Sequence, residues 1–86
     1  MHPRQLLDRL AHGQLANVRF KDAQRLVEVL GFELDRVQGS HHIYRHPVIA
    51  QRINLQARGG EAKPHQLRQL LDLMERYALG LKEEGQ

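Results

Sequence analysis

The run Arg36-Val37-Gln38-Gly39-Ser40-His41-His42-Ile43-Tyr44-Arg45-His46-Pro47 holds the residue types from which a phosphate-directed site is built. A glycine turn lets backbone N–H groups approach a bound phosphate closely, which makes Gly39 a candidate contact, and the Ser40 hydroxyl can donate to a phosphate oxygen. A histidine at the start of the following strand is held rigidly and titrates near neutrality, so His41 and His42 are the candidates for proton transfer. Arg45 and Arg52, on neighbouring strands, suit bidentate neutralisation of a phosphate. Tyr44 offers a ring face for a base to stack on, and Arg36, His46 and Lys63 complete the candidate RNA-binding set. Such a set fits metal-free RNA cleavage, in which the 2′-OH attacks its own phosphate. One imidazole takes the proton and a cation stabilises the developing charge.

Metal binding is the rival chemistry for a chain with six histidines. His42 and His46 have helical ligand spacing, but on a strand four residues span roughly 13 Å, too far for one ion. The adjacent His41 and His42 point to opposite faces, and no acidic residue lies between Arg36 and Gln56 to complete a site. No metal or cofactor is therefore expected. His2, His12 and His65 read as exposed polar residues without a role; the doublet beside Gly39-Ser40 is the informative pair.

The charge is distributed as a polyanion-binding protein requires. The net charge is +3, but residues 1–35 carry five Lys/Arg against five Asp/Glu, and residues 36–68 carry six against Glu61 alone. Residues 69–86 carry two basic against four acidic side chains. Basic charge gathered on one segment is the footprint of a polyanionic partner; the plainer alternative is a solvated, arginine-rich hairpin. With 86 residues and no cysteine, the chain fits one small domain and excludes disulfide frameworks, iron–sulfur clusters and Cys-based zinc fingers. No apolar run approaches the roughly 20 residues of a membrane span, and the charged start lacks the apolar stretch of a signal peptide. A soluble, cytoplasmic, single domain is the expectation.

The elements that must position these residues follow from periodicity. Pro3 and the face Leu6, Leu7 and Leu10 predict a short first helix stopped near Gly13. Phe20 leads into a second helix, with Ala23, Leu26, Val27 and Leu30 at helical spacing and Gly31 as its stop; no good side-chain cap is evident at its start. Three strands are predicted near 32–38, 41–46 and 51–56, the third with Ile53 and Leu55 on one face and Arg52, Asn54 and Gln56 on the other. Pro64 opens the last helix, near 64–79, whose stripe is Leu67, Leu70, Leu71, Met74, Tyr77, Ala78 and Leu81, with Gly80 as breaker. Leu67, Leu70, Leu71 and Met74 are expected beside Ile43 and Phe32. This order predicts an α+β domain with one sheet face under helices and the other wet.

Gly39-Ser40-His41-His42-Ile43-Tyr44-Arg45-His46-Pro47 resembles the signature of the HicA toxins, the ribonuclease half of the HicA–HicB toxin–antitoxin pair. The lead-in Leu30-Gly31-Phe32-Glu33-Leu34-Asp35-Arg36 and the closing Pro64-His65-Gln66-Leu67-Arg68-Gln69-Leu70-Leu71 are similar to the same family, so the resemblance covers about residues 20–80. It implies a small α-β-β-β-α domain similar to double-stranded RNA-binding domains, here with an extra N-terminal helix. It divides the chain into an N-terminal helical extension (1–19), a HicA-like core (20–80) and a polar tail (81–86). It also implies metal-independent endoribonucleolytic cleavage of mRNA, a HicB-like antitoxin protein as partner, and no small-molecule cofactor.

The family's essential imidazole follows Gly-Ser at the first position in some members and the second in others, and both are histidine here. If Ile43 points into the core, strand alternation puts His42 on the wet face; a twist or bulge beside Gly39 frees His41 instead. Two features depart from the family pattern. Ile53-Asn54-Leu55-Gln56 stands where many members carry Val-Pro-x-His, so a supporting histidine is absent. The helix from Pro3 to His12 precedes the usual start of the domain; it covers the sheet edge, contacts a partner or extends the core. The alternative function is a non-catalytic RNA-binding module on the same fold, its histidines acting as donors and stacking faces.

Overall fold

An imidazole opens the first helix. His2 Nδ1 accepts the backbone N–H of Arg4 at 3.2 Å, and Gln5 Oε1 accepts that of His2 at 3.4 Å. This reciprocal arrangement satisfies amide donors that a helix start leaves without partners. The histidine expected to have no role is thus a cap. In the computed structural model, which describes residues 1–81, the order is α1 (Pro3–Ala11), α2 (Phe20–Val29), β1 (Glu33–Gln38), β2 (His41–Arg45), β3 (Ile53–Arg58), β4 (Glu61–Ala62) and α3 (Pro64–Tyr77). The expected tail lies outside the described residues, except for Leu81, which packs partly buried against the core.

The sheet is antiparallel throughout with order β1-β2-β3-β4, an α+β architecture compatible with the α-β-β-β-α order of double-stranded RNA-binding domains. Helix α1 adds Leu6 and Leu10 to the same core as α2 and α3, so it extends that core. Two differences from the expected strands share one cause. The third strand ends two residues later than expected, and the fourth was not expected at all. Gly59 and Gly60 take φ of 59° and 80°, the pair of positive values demanded by a two-residue type I′ hairpin turn. The glycines are therefore a strand connection, and Glu61–Ala62 pairs back on Ala57 and Arg58. On its other side this segment holds the α2 start: Gly60 O accepts the Phe20 N–H at 2.9 Å, and Val18 O accepts that of Ala62 at 2.8 Å.

Helix α2 ends as expected at Gly31. With φ at 101°, this residue lets its own N–H reach Glu28 O, and that of Phe32 reach Val27 O, both at 3.0 Å, the paired bonds of a Schellman cap. Helix α3 stops earlier than expected. Ala78 takes the left-handed conformation at φ 53°, and Leu79 N–H closes on Met74 O at 2.9 Å. Tyr77 and Ala78 are exposed, outside the apolar stripe assigned to them. Of the core set expected on α3, Leu67, Leu70 and Met74 are buried; Leu73 is buried too, and Leu71 only half so.

Candidate active site on the open face of the sheet

The phase of β2 decides which histidine is available. Tyr44 is 1% exposed, in the core with Phe32, Ile53 and Leu55, while Ile43 is half-buried on the opposite side. Strand alternation therefore turns His42, Tyr44 and His46 toward the helices and His41, Ile43 and Arg45 toward the open face, the reverse of the phase that an inward Ile43 would set. The two apolar neighbours at the centre of a five-residue strand gave no period to choose between them. Burial favours the larger side chain, whose hydroxyl also finds a partner in Gln24 Nε2 at 3.2 Å. Burial raises the Tyr44 pKa, the Gln24 hydrogen bond pulls it down, and the Glu28 charge adds to the rise.

Three assignments change with this phase. Tyr44 has no face free for a base to stack on, because its ring is core. His42 is half-buried, edge-on to Phe20 with ring centres 4.9 Å apart, and its Nδ1 donates to Ser40 O at 3.3 Å. His46 is structural. Its ring packs edge-on to Phe32 at 5.0 Å, Nε2 donates to Leu30 O at 3.3 Å, and Nδ1 accepts the Val48 N–H at 3.1 Å. Both ring nitrogens are thereby committed, Nε2 tying the end of β2 to the end of α2 and Nδ1 holding the turn that follows β2.

The open face gathers the rest. Cross-strand register sets Gln38 opposite His41, Arg36 opposite Ile43 and Glu33 opposite Arg45; on the other flank Gln56 faces His41 and Asn54 faces Ile43. Pairs directly opposite share a face, so Arg36, His41, Arg45, Asn54 and Gln56 line one surface. His41 is exposed, and Asn54 Nδ2 donates to its Nδ1 at 2.9 Å. A register shift between Leu34 and Arg36 leaves Asp35 as an extra residue in β1, and its carboxylate pairs with Arg52 Nη1. Arg52, one of the two arginines expected to neutralise a phosphate, is thus already partnered. Arg36 and Arg45 are exposed and take part in no ion pair among the described residues.

The hairpin turn is fastened to the sheet from below. Gly39 has a φ of 58°, and nothing stands within 4 Å of where its Cβ would be, so its backbone is open to an approaching ligand. Ser40 Oγ accepts from Gln56 Nε2 at 3.0 Å, and Gln56 Oε1 in turn accepts from Lys63 Nζ at 2.8 Å. The backbone N–H of Gln56 reaches the buried Gln66 Oε1 at 2.7 Å. Lys63 is therefore a support for the turn as well as a charge. Gln56 and Asn54, read from sequence only as the polar side of β3, are the residues that organise the face. Their partners become visible only once the register is known. Among the described residues no group of three or more His, Asp or Glu side chains is placed to share a metal ion, and no helix is long and apolar enough to cross a membrane.

A family model described as HicA toxin of bacterial toxin–antitoxin matches residues 20–75. No curated protein matches the chain significantly, and neither does any solved structure. The matched segment runs from the first residue of α2 into the last turn of α3 and includes the whole sheet.

Proposed function

The chain belongs to the HicA toxin family of bacterial toxin–antitoxin systems, and on that premise we propose that it is a metal-independent endoribonuclease acting on mRNA with His41 as the proton-accepting group. The observation that carries this reading is the placement of His41: exposed on the helix-free face, beside the glycine turn, with Arg36 and Arg45 on the same surface and in no ion pair among the described residues. His42 lies against Phe20 on the other side.

In the proposed step, the RNA phosphate rests against the Gly39-Ser40 backbone and the arginines. His41 Nε2 removes the proton of the adjacent 2′-OH, the 2′-oxygen–phosphorus bond forms, and the bond from phosphorus to the 5′-oxygen breaks. The products are a 2′,3′-cyclic phosphate and a 5′-oxygen that takes a proton from solvent or from the imidazolium. Proton transfer of this kind contributes about 10²–10⁴-fold, and the arginines offset the charge gathering on the phosphoryl oxygens. As for every member of such a two-protein system, an antitoxin is the natural partner; a HicB-like protein covering this basic face would silence it. The family favours a cytoplasmic site of action.

The test is cleavage of RNA by the purified chain in EDTA, with the 3′ ends of the products analysed and a His41→Ala variant alongside. Cyclic phosphate ends that disappear in the variant are expected. Binding of RNA with no cleavage by the wild-type chain would leave the non-catalytic RNA-binding module; undiminished cleavage by His41→Ala would remove His41 from the mechanism.

A further inference from the structure

We propose that Asn54 is a positioning residue for His41, holding the ring at Nδ1 so that Nε2 faces the substrate; this rests on the reading of His41 as the proton acceptor. Asn54 sits on β3 opposite Ile43, one diagonal step from His41, and its amide nitrogen is 2.9 Å from His41 Nδ1. The other end of the amide is Oδ1, shielded from solvent and without a hydrogen-bond partner. The His41 contact is thus the amide's one side-chain hydrogen bond among the described residues.

An imidazole that accepts a proton at Nε2 must carry its existing proton at Nδ1, and the imidazolium then formed carries one on each nitrogen. A group facing Nδ1 serves the base form only if it accepts a hydrogen bond. A carboxamide meets this demand because half a turn exchanges its donor and acceptor ends. With Nδ2 toward the ring, Asn54 donates to a bare Nδ1 and the proton resides on Nε2. With Oδ1 toward the ring, it accepts from Nδ1–H, leaves the Nε2 lone pair free, and retains its bond when the ring becomes charged. No other side-chain bond of the amide is broken by that turn. Asn54 is half-buried and its oxygen is shielded from water, so the amide ties the ring to the sheet on an otherwise open surface.

The experiment combines ring-nitrogen NMR of His41 with steady-state cleavage for wild type, Asn54→Ala and Asn54→Asp, all full-length. A misplacement of a reacting group by about 1 Å costs on the order of 10²-fold, so Asn54→Ala is expected to lose up to about 10²-fold in kcat with KM unchanged, and its His41 nitrogen shifts are expected to move away from those of wild type. Asn54→Asp keeps an acceptor and adds a negative charge that favours imidazolium; the expected result is a higher His41 titration midpoint, with the acid limb of the rate profile displaced upward in pH by the same amount. His41 nitrogen shifts and titration that are identical in wild type and both variants would overturn the positioning role, whether or not the chain cleaves RNA. Altered His41 spectra with cleavage unchanged in Asn54→Ala and in His41→Ala would overturn the reading of His41 itself.

Discussion

An imidazole exposed on a strand and one pressed against a phenyl ring respond differently to truncation. His41→Ala is expected to abolish cleavage, a loss of about 10²–10⁴-fold, while RNA binding and the thermal midpoint stay near wild type. His42→Ala is expected to act mainly on stability, through the lost contact with Phe20, and to leave a greater part of the cleavage activity. Melting curves and cleavage rates of the two variants, measured side by side, check the asymmetry; equal activity losses without a stability difference would contradict it. Tyr44 makes a separate prediction about alkaline pH. Its folded-state pKa is raised, chiefly by burial, above the ordinary tyrosine value of 10.0. A group raised in the folded state contributes stability that is fully present below the unfolded value and is lost as pH rises through the folded one. Wild type should therefore lose stability more steeply than Tyr44→Phe as pH rises above about 10, as read by urea denaturation. At this scale the composition of the site was legible in the sequence, but its geometry was not. Gly39, Ser40 and the histidine doublet announce themselves by type and spacing. Asn54 and Gln56 matter through partners on another strand, and register is a tertiary property.

Helix ends and strand phases offer the sharpest tests of the elements. Leu70 is fully buried on α3, so Leu70→Ala should cost about 2–5 kcal/mol, measurable by chemical denaturation. Ala78, in the left-handed region at φ 53°, carries a penalty of about 1–2 kcal/mol that glycine escapes; Ala78→Gly should raise stability by about 1 kcal/mol. Gly31→Ala should do the opposite. Its φ is 101°, and an added Cβ would lie 2.8 Å from His46 Nε2, a ring held by two hydrogen bonds and Phe32. The same elements show why the sequence was a good guide to some features and a poor one to others. The helix starts at Pro3 and Pro64 and the stop at Gly31 rest on strong local chemistry, and each appears where expected; the α2 start at Phe20 has no side-chain cap and is held instead by Gly60 O, a partner distant in sequence. The α3 stop rests on an alanine with no intrinsic preference for its conformation. The inward side of β2 depends on which of Ile43 and Tyr44 the facing strand and helices accommodate.

Across the whole molecule, basic charge from one third of the sequence is delivered mainly to one face of one sheet. If that face binds RNA, affinity should fall with salt at a slope of about −0.7 per neutralised phosphate on single strands. Arg36→Ala and Arg45→Ala should each flatten the slope by nearly one such step, and Arg4→Ala, at an exposed position of α1, should not. Arg52→Ala should have a smaller effect than Arg45→Ala because Asp35 already partners Arg52; Asp35→Asn, which frees the guanidinium, should tighten binding. Filter binding across a salt series distinguishes these outcomes. The alternation along β2 has a genetic counterpart. If an antitoxin covers the basic face, truncating the core residue Tyr44, as in Tyr44→Ala, should remove toxicity together with the fold that the antitoxin would grip, so such alleles should be recessive to an intact copy in the same cell. Substitutions at His41, one face away, should on the same premise leave a folded and harmless chain that still engages the antitoxin. They should be dominant and perilous, because each inert molecule withdraws protection from a live one.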